Sequence, residues 1–353
     1  MLSSSRRREI VETLLIAIAI IGVALLLWTM RSVLILVFGA ILLAVVLRIT
    51  ARPLKDKLHL PDKLALLVAV ALVTGIVALA FTLFGQEMGR QWETLRESIP
   101  SAWQSVLQRL EAAGFAEPVR QWLQSVGSGG QGVLSSMTRF LVSFTNAMAD
   151  TLLVIFGGIY LAADPSLYRR GIAKLLPEAA RPKVIEALDD CFRALRLWLF
   201  GRLTSMAIVG LLTGLGLWAI GMPAALTLGI AAGILDFVPF VGPIIAAIPA
   251  VLLALATSPT MALWVILLYL VIQQIEGNII TPLIQKRAVE LPPALLLFSL
   301  VALGLLFGAL GVILAEPLTV VLYVLVKRLY VVDALDTPTH MPGEESEKEP
   351  SKS

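Results

Sequence analysis

Apolar residues in this chain fall in runs of membrane-crossing length, and polar residues gather in short clusters between them. A helix needs about 20 apolar residues to cross a hydrocarbon layer roughly 30 Å thick. Ile10–Met30 meets that length directly after Arg6-Arg7-Arg8. It lacks a small-x-small cleavage site at its end, so it reads as a first transmembrane helix and not as a signal peptide. Ser32–Leu47 is a shorter run after a turn at Arg31, and Leu64–Phe84 contains no charge. Phe140–Ala163 is interrupted only by Asn146 and Asp150. Leu203–Ile220 is rich in glycine, and beyond it the chain is apolar almost to Tyr330. The pattern predicts an all-α polytopic membrane protein. It has about 6 spanning helices plus two re-entrant or broken helical hairpins, about 8 membrane segments in all, and an extracytoplasmic helical insert.

The hairpins are predicted from an internal repeat. Gly221–Pro249 and Glu290–Leu318 agree without gaps at Pro223/Pro292, Ala225/Ala294, Leu226/Leu295, Leu228/Leu297, Gly242/Gly311, Ile244/Ile313 and Ala246/Ala315. Each copy has an apolar arm of about 15 residues, a break and a second arm, too short for full crossings at 1.5 Å per residue. An inverted pair of broken-helix elements fits this layout, and such elements mark the substrate site of secondary transporters. Four short helices kinked at proline fit it too.

The organisation follows. Residues 1–84 hold the N-terminal transmembrane helices, 85–139 the extracytoplasmic insert and 140–163 another transmembrane helix. Residues 164–202 form a cytoplasmic helical segment, 203–330 the broken-helix core with its repeat at 221–249 and 290–318, and 331–353 a disordered cytoplasmic tail. Lys and Arg set the orientation. They crowd at Arg6–Arg8, at Arg48, Arg52, Lys55, Lys57 and Lys63, and through 164–202 as far as Arg193, Arg196 and Arg202. All are expected on the cytoplasmic side of a bacterial inner membrane, with both termini. The insert balances Glu against Arg, contains no lysine, and carries Trp92, Trp103 and Trp122. It reads as interfacial helices with tryptophans at headgroup level, or as a docking surface for partners.

Composition narrows the function classes. Hydrophobic residues make up 58% and charged residues 15% of the 353 residues, against roughly 25% charged in ordinary soluble domains. The net charge of +3 lies in short loops, which gives no nucleic-acid footprint. The single cysteine, Cys191, excludes an intrachain disulfide, and His59 and His340 build no metal site. No phosphate-binding Gly-Lys-Ser/Thr loop and no intramembrane protease motif is present, so no cofactor and no enzyme is expected.

Ionisable groups at membrane depth cost about 2.5–3.5 kcal/mol on insertion scales, so each needs a reason. Three acids stand out. Asp236 precedes Val238-Pro239-Phe240-Val241-Gly242-Pro243 at the first hairpin break. Glu276 lies in Gln273-Gln274-Ile275-Glu276-Gly277-Asn278, and Glu316 stands before Pro317 in the second hairpin. No Lys or Arg lies between Arg202 and Lys286, and unpaired buried carboxylates bind a cation or hold a proton. Gln273 with Glu276, and Gln274 with Asn278, share helix faces that suit a polar ligand, or that simply meet water at a helix end. Glu316 before proline is also an ordinary helix start, and Asp236 could likewise cap a broken helix. The Gly-x-x-x-Gly spacings at Gly210/Gly214, Gly229/Gly233 and Gly304/Gly308 read as close helix packing.

Asp236-Phe237-Val238-Pro239-Phe240-Val241-Gly242-Pro243, with Ile248-Pro249 after it, resembles the signature of the autoinducer-2 exporter family, the PerM-like permeases. Gln274-Ile275-Glu276-Gly277-Asn278-Ile279-Ile280-Thr281-Pro282 resembles that family's second signature, and the likeness covers about residues 10–332. The resemblance implies a bacterial inner-membrane secondary transporter, with autoinducer-2 export in some members, sodium/proton antiport in others, and homo-oligomers. It points at Asp236, Pro239, Gly242, Pro243, Gln274, Glu276, Asn278 and Pro282. The residues leave three readings: export of a small polar solute coupled to Na+ or H+, monovalent cation/proton antiport, and a non-transporting scaffold built on 85–139.

Overall fold

The computed structural model describes residues 25–79, 150–285 and 291–333, with single positions at 14, 15, 18, 21, 22, 82 and 335. Most of the first apolar run, the insert at 85–139, the beginning of Phe140–Ala163 and the tail from 336 lie outside the described residues. Every regular element among the described residues is a helix.

In chain order these are α1 (Arg31–Leu58), α2 (Asp62–Leu79), α3 (Asp150–Ala163), α4 (Pro165–Lys174), α5 (Arg181–Ala219), α6 (Ala225–Leu235), α7 (Val241–Thr257) and α8 (Pro259–Ile275). A π-helical turn at Glu276–Ile280 leads into α9 (Thr281–Gln285). Then come α10 (Pro293–Ile313), α11 (Ala315–Leu325) and a second π-helical stretch, Val326–Val332. Among the described residues, five helices, α10 included, are by length and composition long and apolar enough to cross a membrane, and α3 with α4, bent by 87°, would make a sixth. The protein is therefore a polytopic helical membrane protein. Asp164 stands at the bend, where its carboxylate accepts from the Leu167 N–H at 3.1 Å and caps α4 ahead of Pro165.

Helix α5 is the spine, and it runs without a break through residue 202. At one end Leu195, Trp198 and Leu199 pack with Leu42 and Val45 of α1 and with Val320 and Val324 of α11. At the other, Leu217 joins Leu228, Leu253 and Val265 from α6, α7 and α8. Lipid tails are as apolar as leucine, so such contacts are held by close packing and not by escape from water.

Both repeat copies reverse the chain. At the first, Phe240 is left-handed (φ 63°), and a Cβ on Gly242 would lie 1.8 Å from the Leu235 carbonyl oxygen. At the second, Gly308 is left-handed (φ 65°), and a Cβ on Gly311 would lie 2.0 Å from the Leu303 oxygen. In a straight helix residues seven or eight apart stand more than about 10 Å from each other. These contacts therefore require helical hairpins, and α10 is two arms joined at Gly308.

Candidate functional site

A seam of small residues sets the register of the site. Gly210 and Gly214 of α5 face Gly233 and Gly229 of α6 so closely that a Cβ on Gly229 would lie 2.5 Å from the Gly214 Cα. One on Gly233 would lie 2.6 Å from the Met206 oxygen. The helices run antiparallel, so following the seam toward the start of α5 follows α6 toward its end. The next polar partners along it are Ser205 and Asp236, with Ser205 Oγ donating to Asp236 Oδ2 at 3.4 Å. The two Gly-x-x-x-Gly spacings expected to pack do so here. Gly304 and Gly308 behave differently, because Gly308 forms the second reversal and Gly304 faces Val312.

One turn before Ser205 on α5 lies Arg202, which is 9% exposed. It gathers all three candidate acids. Its Nη2 lies 3.7 Å from Asp236 Oδ1, its Nη1 3.7 Å from Glu276 Oε1, and its Nε 4.0 Å from Glu316 Oε2. The acids come from three separate elements: the end of α6, the π turn after α8, and the first turn of α11. Arg202 was expected among the cytoplasmic bases. It is instead enclosed, because the packing of α6, α8 and α11 around α5 covers that face of the spine. The separation in sequence between Arg202 and each acid hid the pairing.

The charges are paired at ion-pair distance without close hydrogen bonds, which run near 2.7–3.2 Å. Arg202 Nε and Nη2, Asp236 Oδ1, Glu316 Oε2, Trp198 Nε1 and the Thr213 hydroxyl are buried without a hydrogen-bond partner among the described residues. Asp236 is fully buried at the C-terminal end of α6, where the helix dipole disfavours an anion. It is therefore no helix N-cap, and Arg202 and Ser205 are what hold it. Trp198 meets Phe237 edge to face with ring centroids 5.9 Å apart, which closes the cluster on one side.

The remaining predicted residues divide. Gln273 Nε2 donates to Glu276 Oε2 at 3.3 Å, so this pair belongs to the site. Glu276 is turned inward by Ile272 and Ile280, which pack with Val209 of α5, and π-helical insertions of this kind recur at functional sites. Gln274 and Asn278 also pair, at 2.9 Å, but on an exposed face away from the cluster. Pro282 is exposed beside them. Pro239, Gly242 and Pro243 shape the first reversal: the Pro239 carbonyl accepts from the Val241 N–H at 2.7 Å, and Pro243 lies in the first turn of α7. They position Asp236 without touching the charges.

Residues 14–330 match the family described as AI-2E family transporter. The "Putative transport protein YrrI" of Bacillus subtilis (strain 168) is 32% identical over 195 residues, which is 55% of this chain and 54% of that protein. "Putative transport protein YueF" of the same organism is 30% identical over 201 residues, 57% of this chain and 53% of that protein. The "AI-2 transport protein TqsA" of Escherichia coli (strain K12) is 25% identical over 297 residues, 79% of this chain and 82% of that protein. The chain thus spans about half the length of the two Bacillus relatives.

Proposed function

The chain belongs to the AI-2E transporter family, and from that membership we propose that it is a secondary transporter exporting a small polar solute, driven by a sodium or proton gradient. Autoinducer-2 is the first solute to test, because TqsA, similar along most of this chain, is named for its transport. The setting is a bacterial inner membrane with both termini cytoplasmic, which the basic loops support.

The observation that carries the reading is the buried quartet of one guanidinium and three carboxylates. Fully ionised, it holds two negative charges in excess. Burying net charge is prohibitive unless a cation or protons balance it. The acids sit on the two hairpins and on the π turn between them, so an ion that neutralises them acts on the elements that must move. Ion occupancy and hairpin position are thereby linked, as coupling requires.

The test is efflux of autoinducer-2 from proteoliposomes under imposed sodium and proton gradients. Gradient-driven release that Glu276→Gln abolishes supports the exporter. The same acid excess favours a second reading, cation/proton antiport, since it calls for no organic ligand. A sodium-dependent pH change inside the vesicles without solute release would select it. The scaffold reading rests on 85–139, outside the described residues.

A further inference from the structure

A second polar region lies away from the quartet. Between α1, the α3–α4 bend and α5 there is a cavity of about 740 Å3, well within the range of ligand sites. We propose that it holds an anionic phospholipid of the leaflet bordering the basic loops. The phosphate lies at the edge formed by Arg48, Arg52 and Lys55, and the acyl chains lie along the apolar wall.

The first support is a polarity gradient along α1, faced by mixed polar and apolar walls from the bent pair and α5. Along α1 the lining changes from Phe38 and Ile41 to Arg48, Arg52 and Lys55, over roughly 25 Å of helix from first to last. Along the bent pair, Leu161 comes before the bend, and Ser166, Tyr168, Arg169 and Ile172 after it. Along α5, Asp189 stands among Leu188, Cys191, Phe192 and Leu195. An amphiphile matches such a wall. A fully polar solute would leave the exposed side chain of Ile41 without an apolar partner.

The second support is charge. Four bases line the cavity (Arg48, Arg52, Lys55 and Arg169) against three acids (Asp56, Asp62 and Asp189). Arg48 and Lys55 share the single carboxylate of Asp62, at 3.0 and 3.1 Å, and Arg169 holds Asp189. Arg52 has no ion pair or hydrogen bond among the described residues, and Arg48 Nε is buried without a partner. Arg48 Nη2 donates to the Ala163 carbonyl at 3.1 Å, so the Arg52 guanidinium is the free donor group beside the Lys55 ammonium at this phosphate-binding edge, and basic pockets between helices at this level take anionic headgroups.

The experiment is native mass spectrometry of the full chain in detergent, titrated with phosphatidylglycerol and with phosphatidylcholine of the same acyl chains. Wild type should bind phosphatidylglycerol more tightly. Arg52→Gln should weaken that binding about fivefold, the contribution of one basic residue near an anionic surface, and leave phosphatidylcholine unchanged. Arg52 is exposed and makes no contact that folding needs, so the variant should fold. Lys174→Gln, outside the cavity, should bind as wild type does. Equal binding of the two lipids by wild type, or unchanged phosphatidylglycerol binding by Arg52→Gln, would overturn the site.

Discussion

At the scale of single residues, the quartet decides what each substitution does. Removing Arg202 leaves three buried carboxylates around no cation, and breaking a buried pair from one side costs about 3–5 kcal/mol. Arg202→Gln should therefore lower the thermal midpoint of the detergent-solubilised protein and abolish transport. Adding Asp236→Asn to Arg202→Gln should restore part of the midpoint, because the most deeply buried of the orphaned charges is then neutral. Differential scanning fluorimetry of the single and double variants checks both. The three acids were legible in sequence because a carboxylate at membrane depth needs a reason. Their partner was not. Arg202 follows Arg193 and Arg196 and looks like the last of the basic residues facing cytoplasm. Only the wrapping of α6, α8 and α11 about α5 encloses it.

At the scale of elements, glycine positions the site. The α5–α6 seam leaves no space for a side chain at Gly229. Gly229→Ala should push the helices apart, move Asp236 away from Arg202 and reduce both stability and transport. Gly242→Ala should be at least as damaging, since its Cβ would meet the Leu235 backbone oxygen at 1.8 Å and backbone cannot swing aside as a side chain can. Gly75 in α2 has nothing within 4 Å of an added Cβ, so Gly75→Ala should be neutral or gain up to about 1 kcal/mol from helix propensity. Expression level and size-exclusion profile of the three variants separate these outcomes. The repeat was visible in sequence through Gly242/Gly311, and those two glycines turn out to be where each chain reversal is tightest. What it could not reveal was the role of Gly308, because the same Gly-x-x-x-Gly spacing serves a seam in α5 and α6 and a left-handed turn in α10.

At the scale of the whole molecule, the helical membrane architecture was readable from run length alone, since lipid imposes a length that soluble proteins do not share. Helix α5 passes through residue 202 as a single helix of 39 residues, charged in its first half and apolar in its second. The change in hydropathy falls inside the helix and not at one of its ends. The consequence is mechanical. One helix carries Arg202 and packs against α1, α6 and α11, and on the proposed function it ties the charge state of the quartet to the arrangement of the core.

That link is tested most directly by comparing two fluxes in the same proteoliposomes, autoinducer-2 exchange at equilibrium and autoinducer-2 efflux against its gradient under an imposed ion gradient. In wild type both should occur. In Glu276→Gln exchange should survive, because the amide preserves the shape of the site and a hydrogen bond to Gln273, while gradient-driven efflux should vanish with the lost charge. If Glu276→Gln pumped as well as wild type, the buried acids would not be the seat of coupling.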